Sequence, residues 1–233
     1  MLRCIAPSDA SKRAPQMTNS RPTHQFYGRR KGKPLRRIHS ELMQTLLPQV
    51  AVDMAQPLVA TPAPRILEIG FGGGEHLAHQ AALNPTIHYI GAEPFLNGVA
   101  KLLAEIETRK LTNLRVHYGD ARPLLEAIPA ESFERIYLLY PDPWPKLKQQ
   151  KRRFVNAANL AHFARVLKPH GQFWFASDID DYVGWTREHV STSNLFVEQP
   201  DHVTPFENWL QTRYEAKARR GGRGSAYLRF IKR

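Results

Sequence analysis

The sequence feature that most constrains the fold is a glycine-rich turn after a short apolar segment, in the stretch RILEIGFGGG at residues 65–74. The apolar first half predicts a short buried strand, and residues 75–83 predict a helix. Because glycine has no Cβ atom, Gly70 and Gly72 let a ligand approach the backbone closely and accept positive φ angles. A strand, a glycine turn and a helix in this order predict a cofactor-binding turn in an α/β protein.

The charge at this turn separates it from a dinucleotide fingerprint. The third glycine of a G-x-G-x-x-G motif would fall at Glu75, and a carboxylate at the start of the helix disfavours a phosphate group. Glu68, at the end of the predicted strand, places a second carboxylate beside the turn. Carboxylates suit a cationic ligand, and S-adenosylmethionine carries a sulfonium and an ammonium group. The turn alone leaves open an ordinary strand-to-helix connection.

Strand-like and helix-like segments alternate along the rest of the chain. The further predicted strands are residues 88–93, 113–120, 133–140 and 171–178, and the further predicted helices are residues 40–55 (with Ser40 as N-cap), 95–108, 124–128, 154–167 and 182–191. This alternation predicts an α/β fold with a Rossmann-like, doubly wound and mostly parallel sheet. Ligands of such sheets bind beyond the carboxyl ends of the strands. Five acids at or just after strand ends are therefore predicted to meet along one edge: Glu68, Glu93, Asp120, Asp142 and Asp178.

Each of these acids alone is better explained as a turn or helix-start residue. Their spacing favours a shared role. Glu93 follows the glycines by about twenty residues, where an acid binds the two hydroxyl groups of a ribose. Asp120 lies where an acid could accept a hydrogen bond from an adenine amino group. Glu93 does not by itself distinguish S-adenosylmethionine from NAD.

A proline-rich loop follows the central predicted strand, in the segment YPDPWPKLKQQKRR at residues 140–153. Its prolines fix φ and remove amide donors, so the loop is predicted to be rigid and to hold Asp142. Trp144 offers a flat surface for a base. The basic residues after it can contact phosphate groups: Lys146, Lys148, Lys151, Arg152 and Arg153. The alternative is a structural turn before a basic helix start, which is disfavoured because positive charge destabilises a helix N-terminus.

Positive charge is concentrated at the two ends of this 233-residue chain, which has a formal net charge of +12. Ten Lys or Arg residues and one acid precede Ser40, and eight Lys or Arg residues and one acid occur from Arg213 onward. This excess indicates nucleic acid or another anionic surface as the partner. We expect residues 1–38 to be a basic, disordered extension and residues 39–233 to be one catalytic domain. Within the extension, residues 26–37 fit either a solvated tail or a phosphate-contacting arm with stacking aromatic rings.

Cysteine usage and hydropathy limit the cellular compartment and the kinds of site that this protein can have. The single Cys4 cannot form an internal disulfide, and no Cys/His cluster has the spacing of a zinc site. The sequence contains no apolar run of membrane-spanning length and no apolar centre of a secretory signal near its start. We therefore expect a cytoplasmic protein without a metal and without a membrane partner.

The chain resembles the bacterial tRNA (guanine-N7-)-methyltransferases, a family of S-adenosylmethionine-dependent enzymes, from about residue 64 to the C-terminus. The resemblance rests on LEIGFGGG, GAEP, NLRVHYGDA, PDPWPK with KRR, ASDID and TRYEAKARR. The Pro-Asp-Pro-Trp block is specific to the family, whereas the glycine turn belongs to the wider class. Two positions depart modestly from the family pattern: Pro145, where His is also common, and Tyr214, where Phe is often found.

The resemblance implies a class I methyltransferase fold, S-adenosyl-L-methionine as donor, and methylation of guanine N7 in the variable loop of tRNA. It implies donor contacts from Glu68, Glu93, Asp120 and Asp142, beside the turn glycines Gly70 and Gly72. Asp142 would also be catalytic, with Asp178 as the second candidate. The substrate guanine would be contacted by Lys146, Asp178, Thr212, Arg213, Tyr214 and Glu215, and the RNA backbone by Lys148, Lys151, Arg152 and Arg153.

The resemblance further implies an enzyme without an obligatory protein partner, as a monomer or a homodimer. Two other classes stay open from the residues. One is an RNA-binding module with this fold and no catalysis, and the other is a methyltransferase that acts on a protein or a small molecule. The intact acids and turn count against the first, and the basic ends of the chain would have no evident purpose in the second.

Overall fold

A computed structural model describes residues 26–56, 58 and 62–233. The predicted disordered extension falls largely outside the described residues, since residues 1–25 are not among them. The helices are α1 (Arg37–Thr45), α2 (Leu47–Val50), α3 (Glu75–Leu83), α4 (Leu96–Arg109), α5 (Ala121–Ala127), α6 (Ala157–Val166), α7 (Asp180–Ser193) and α8 (Arg213–Arg220). The strands are β1 (Arg65–Ile69), β2 (His88–Ala92), β3 (Leu114–His117), β4 (Phe133–Leu139), β5 (Leu167–Ser177), β6 (Phe196–Glu198) and β7 (Ala226–Lys232). A 3-10 helix spans Leu147–Arg152.

The strands form one sheet in the order β3-β2-β1-β4-β5-β7-β6. Strands β1 to β5 pair in parallel, whereas β7 is antiparallel to both β5 and β6. The prediction of an α/β, doubly wound and mostly parallel sheet is confirmed. The strand order reverses between β1 and β4, and a crevice for a ligand opens at such a switch point.

Helices cover both faces of the sheet, and residues of each strand alternate between the two cores. Leu67 and Ile69 of β1 pack with residues of α5, α6 and α7. Ile66, which directly precedes Leu67, packs on the opposite face with residues of α1, α2, α3 and α4. Burial on both faces explains the nearly continuous apolar runs in the parallel strands.

The helix predicted over residues 75–83 has these bounds, but the predicted helix over residues 40–55 is wrong. Helix α1 begins at Arg37, so Ser40 lies inside the helix and is not its N-cap. A separate short helix, α2, follows and contains Pro48. Proline lacks an amide hydrogen and clashes with the preceding turn of a helix, which accounts for the interruption.

The end of the sheet differs most from the sequence prediction. Strand β5 begins at Leu167, four residues before its predicted start at Gly171. Residues 168–171 belong to the strand although they include Pro169 and Gly171. His170 adopts a φ of 59°, and the pairing with β4 shifts register between Phe133 and Arg135. The antiparallel strands β6 and β7 were not predicted. No helix in the described part of the chain is both long enough and apolar enough to cross a membrane.

Candidate active site

A cavity of about 400 Å³ lies at the switch point of the sheet, within the usual range of roughly 300–1,000 Å³ for small-molecule sites. The loops that follow β1, β2, β3 and β4 form its walls together with residues 26–29. Five of the predicted donor-site residues line it: Gly70, Gly72, Glu93, Asp120 and Asp142. The predicted RNA-contacting residues Lys151 and Arg152 and the predicted guanine contact Tyr214 also border the cavity.

The glycine turn after β1 needs its glycines for geometric reasons. Gly70 and Gly72 have φ angles of 72° and 59°. Residues with a Cβ atom adopt such angles only at a cost in free energy. Gly98, at the start of α4, lies so close to this turn that a Cβ atom there would be 2.1 Å from the carbonyl oxygen of Gly72. The turn and the helix therefore contact each other backbone to backbone, and the turn presents its main chain to the cavity.

Glu93 is held in place by two backbone amides. Its Oε2 accepts a hydrogen bond from the Gly72 amide at 2.7 Å, and its Oε1 accepts one from the Phe95 amide at 2.9 Å. The residue is 7% exposed, and burial raises the pKa of its carboxyl, an effect that these two hydrogen bonds oppose. Each carboxylate oxygen has a further lone pair. Glu93 can therefore accept hydrogen bonds from a hydroxyl pair in the cavity without giving up its backbone partners.

Asp120 caps helix α5 and is paired with Arg122, which sequence reasoning did not identify. Its Oδ1 accepts from the Arg122 amide at 3.0 Å, and both carboxylate oxygens face the Arg122 guanidinium. Arg122 also lines the cavity. The spacing Asp-x-Arg at a helix start was the available signal, because it allows an N-cap acid to bind the side chain of the second helical residue.

Asp142 lies at the mouth of the cavity in a loop with two unusual backbone angles. Tyr140 has a φ of 48° and Trp144 a φ of 44°, and non-glycine residues in this region cost about 1–3 kcal/mol each. The Tyr140 hydroxyl donates to Ser225 Oγ at 2.9 Å, which fixes the start of the loop. Asp142 is exposed to water, yet partial burial against the cavity walls raises the pKa of its carboxyl.

Glu68 is placed differently from the other acids. Its side chain does not line the large cavity but borders a second, smaller one. Glu68 is 2% exposed, and its Oε2 is 2.7 Å from Nδ1 of His76, a buried residue that sequence reasoning did not identify. The physical reason is the two-residue alternation of β1, which sends Glu68 to the face that packs against α3. The structure therefore does not support the predicted direct contact between Glu68 and a ligand in the large cavity.

The basic residues of the proline-rich loop and the 3-10 helix divide into two groups. Lys146, Lys148 and Lys151 are exposed. Arg152 lies over the ring of Trp144 at 5.0 Å and over the ring of Tyr27 at 4.5 Å. Arg153 is 1% exposed, which corrects the prediction that it contacts RNA. Its guanidinium is enclosed by the rings of α7 and pairs with Asp181.

The run Thr212–Glu215 also divides into two pairs. Thr212 is the N-cap of α8, and its hydroxyl accepts from the Glu215 amide at 3.2 Å. Glu215 is 1% exposed and accepts from Trp209 Nε1 at 2.6 Å and pairs with Arg219 at 2.7 Å. These two residues therefore stabilise the local fold, and their predicted contacts with guanine stay predictions.

Arg213 and Tyr214, in contrast, are exposed and lie next to the glycine turn. A Cβ atom at Gly72 would be 3.4 Å from Arg213 Nη2 and 3.4 Å from the Tyr214 ring. Asp178 is bound by Arg223, whose Nε and Nη2 both lie 2.8 Å from its Oδ2. Asp178 does not line the large cavity.

Residues 26–33 form an arm that crosses the cavity and is anchored on α4. Asn97 Oδ1 accepts from the Gly32 amide at 2.7 Å, and Asn97 Nδ2 donates to the Lys33 carbonyl at 2.8 Å. On the opposite side, Tyr27 packs edge to face on Trp144, with 6.4 Å between ring centroids. The arm therefore connects the start of α4 with the proline-rich loop after β4. The sequence left residues 26–37 open between a solvated tail and a phosphate-contacting arm, and the contact of Tyr27 with the proline-rich loop was not predicted.

In the ranges that the structure describes, no group of three or more His, Cys, Asp or Glu side chains is arranged to hold a metal ion.

The fold is shared with solved structures, among them that of a methyltransferase. The 16S rRNA methyltransferase KamB has a TM-score of 0.54 at 16% identity, over 72% of this chain and 87% of its own. The YcgJ protein of Bacillus subtilis has a TM-score of 0.51 at 16% identity, over 84% of this chain and 99% of its own. A family model described as a putative methyltransferase matches residues 62–228. Fold, cavity and family model together define a class I methyltransferase.

Similar sequences narrow the class further. The tRNA (guanine-N(7)-)-methyltransferase of Rhizobium meliloti (strain 1021) is 52% identical over 223 residues, which cover 91% of this chain and 96% of the relative. The enzyme of the same name from Mesorhizobium japonicum is 48% identical over 232 residues, which cover 94% of this chain and 100% of the relative. The chain belongs to the tRNA (guanine-N(7)-)-methyltransferase family, as the sequence motifs predicted.

Proposed function

We propose that this protein transfers a methyl group from S-adenosyl-L-methionine to N7 of a guanine in tRNA, with the variable-loop guanine as the expected target. The observation that carries the proposal is the convergence of Glu93, Asp120 and Asp142 on one glycine-floored cavity. Exposed lysines stand beside the mouth of that cavity. Membership of the family supports the same reaction.

The cavity fits the chemical groups of the donor. When bound, the donor supplies a methyl group activated by a positively charged sulfur. Gly70 and Gly72 let a ligand lie against the main chain, and Glu93, which lines the cavity, keeps lone pairs that suit ribose hydroxyls. Asp120 suits the adenine amino group, and Asp142 supplies the negative charge at the mouth. A charge-assisted hydrogen bond of this kind contributes about 1.5–3 kcal/mol.

The reaction requires positioning more than a strong base. Guanine N7 carries an unshared electron pair that points away from Watson–Crick pairing, so in-line attack on a methyl group needs no deprotonation beforehand. Positive charge moves onto the purine during this attack. Asp142 is proposed to be catalytic because its carboxylate can orient the N–H groups of the purine and offset that charge. Asp178 is the second candidate, although it is paired with Arg223.

The RNA side of the site is proposed to consist of exposed basic and aromatic residues next to the cavity mouth. Lys146, Lys148 and Lys151 can contact phosphate groups, and Arg152 can do so from its place on the ring of Trp144. Arg213 and Tyr214 are proposed to meet the guanine, because they lie beside the glycine turn.

We further propose that the chain works as a monomer or homodimer in the cytoplasm, without an obligatory protein partner. Light scattering on the purified chain, with and without tRNA, tests the oligomeric state.

The proposal is tested by incubating the purified chain with unmodified tRNA and methyl-labelled donor. Treatment of the product with borohydride and aniline cuts RNA at N7-methylguanine, so a single new fragment end identifies both the base and its position. Labelled tRNA without cleavage would mean methylation at another atom. Unlabelled tRNA would contradict the proposal.

A donor titration separates this function from an RNA-binding module without catalysis. Saturable donor binding together with cleavage favours the enzyme, whereas tRNA binding without donor binding favours the module.

A further inference from the structure

The prolines of the loop that carries Asp142 restrict φ, but they leave the loop few main-chain donors with which to fix its remaining torsions. Pro141, Pro143 and Pro145 have no amide hydrogen, so they cannot donate the hydrogen bonds that normally close a turn. Two non-glycine residues of the same stretch, Tyr140 and Trp144, have positive φ angles. Such backbone persists only where surrounding groups hold it in place. The groups that support this loop therefore decide where Asp142 points.

Arg153 is one of these groups, because its Nε donates a hydrogen bond of 2.9 Å to the carbonyl oxygen of Pro143. Pro143 directly follows Asp142 in the chain. The contact therefore fixes the peptide plane one residue from the carboxylate.

The rest of the Arg153 guanidinium is fixed by helix α7. Nη2 pairs with the Asp181 carboxylate, and Nη1 lies 3.5 Å from the Asp181 carbonyl. The guanidinium carbon lies 4.9 Å from the ring centre of Tyr182 and 5.0 Å from that of Trp185. A buried cation with a counter-ion and two aromatic faces is a rigid support.

The chain segment after Arg153 is attached to the same helix. The Tyr182 hydroxyl accepts from the Phe154 amide at 2.9 Å, and Trp185 Nε1 donates to the Val155 carbonyl at 2.7 Å. Neither the backbone beside Arg153 nor its side chain can therefore shift without α7. The Arg153 side chain therefore couples the proline-rich loop to α7.

We propose that Arg153 is a positioning residue for methyl transfer, which holds Asp142 in its working orientation through the carbonyl of Pro143. This inference rests on the proposed function. Arginine suits the task because its planar group can donate at Nε to one partner and at Nη to another, whereas lysine carries a single point charge. Lysine at this position could keep the Asp181 pair but would lose the Pro143 contact.

The test compares Arg153→Lys with wild-type enzyme in steady-state methylation of tRNA. We expect kcat to fall by about 10-fold to 100-fold, because a small misplacement of a catalytic group has effects of this size. KM for tRNA should change by less than about twofold, since Arg153 is only 1% exposed and offers no surface to RNA. Arg165→Lys is the matched control, because Arg165 also donates to main-chain carbonyls, those of Leu125 and Ile128, but outside the cavity lining.

A double-mutant cycle with Asp142→Asn distinguishes positioning from a general loss of structure. If Arg153 acts through Asp142, then Arg153→Lys should lower kcat by less than about threefold in the Asp142→Asn background. Equal losses in both backgrounds would overturn the inference. Asp181→Asn is a second variant that is expected to fold, since the Asp181 side chain is 61% exposed, and it should reduce kcat in the same direction by less.

The remaining outcomes also decide the question. An unchanged kcat in Arg153→Lys would overturn the inference. A wild-type enzyme that does not label tRNA would overturn the proposed function together with this inference, whereas an active wild type with an equally active variant would overturn this inference alone.

Discussion

The two halves of the cavity are built in different ways. In residues 65–121, functional groups are placed by the ends of neighbouring strands, and their contacts lie close by: Glu93 binds the amides of Gly72 and Phe95. In residues 140–225, functional positions are fixed by side chains from distant segments, such as Ser225 on Tyr140 and Arg223 on Asp178. The placement of functional groups in the first half follows from strand order, whereas their placement in the second half depends on polar contacts between distant segments.

In the second half, ligand-facing residues and supporting residues lie next to each other within single short segments. Lys151 and Arg153 are two residues apart, yet one is exposed and the other is buried. Tyr214 and Glu215 are adjacent and differ in the same way. A basic or acidic run in this half therefore contains both residues that can reach a substrate and residues that stabilise the site.

The largest effect is expected from Asp142 in the second half. Asp142→Ala should lower methyl transfer by about 10²-fold to 10³-fold, because it removes preorganised charge at the reacting base. Retention of tRNA on a filter should stay near wild type. Asp178→Ala, whose carboxylate is already paired with Arg223, serves as the comparison and should lose less activity. Unchanged turnover in Asp142→Ala would remove this residue from the mechanism.

The next effect contrasts two acids of the first half. Glu93→Ala should weaken donor binding by about 10-fold to 100-fold, which corresponds to the loss of roughly 1.5–3 kcal/mol of charge-assisted hydrogen bonding. Glu68→Gln should leave donor affinity unchanged but lower Tm, at about 2–4 °C per kcal/mol for a chain of this size, because Glu68 binds buried His76. Calorimetric titration measures donor affinity, and thermal melts measure Tm. Equal losses of donor affinity in the two variants would show that Glu68 acts on the donor.

Donor affinity should also depend on pH. Burial raises the pKa of Glu93 and of Asp142, so both bind protons in mild acid where ordinary carboxyls are ionised. The cationic donor favours the ionised forms, and binding should therefore be strongest near neutral pH and weaken as the pH falls through a window above the ordinary carboxyl range of about 4–4.5. Titrations between pH 8 and pH 5 test this. Affinity that rises in acid would contradict the assignment.

The smallest effect is expected at the exposed lysines. Lys148→Gln and Lys151→Gln, made singly, should each flatten the salt dependence of tRNA binding by about 0.7–0.9 log units per unit log salt if the residue contacts a phosphate. Lys101→Gln provides the control, since Lys101 is an exposed lysine on α4 outside the cavity lining. Binding constants over a salt series measure the slope. Slopes equal to wild type would place these two side chains in solvent.

Most of the fold follows from the sequence, because the parallel strands are buried on both faces and punctuated by turns. Helix α3 has its predicted bounds, and the acids Glu93 and Asp120 lie in the cavity as their positions after β2 and β3 implied. Glu68 differs because alternation within β1 directs it to the other face of the sheet. The position of Glu68 near the end of β1 does not indicate on which face of the sheet its side chain lies.

The burial of Arg153 and Glu215 could not be read from local sequence. Each is enclosed by aromatic residues or paired groups from other segments: Trp185 and Asp181 for Arg153, and Trp209 for Glu215. A motif match identifies such residues as important, but it does not show whether they stabilise the site or contact a ligand. Strand β7 was missed for a related reason, since its partner β5 lies about fifty residues earlier in the chain.

A crystal structure of the enzyme with S-adenosyl-L-methionine tests the central claim most directly. The account predicts the donor in the switch-point cavity, with the ribose hydroxyls on the Glu93 carboxylate and the sulfur facing Asp142 at the mouth. A donor whose sulfur lies away from Asp142, or one bound outside this cavity, would contradict the account.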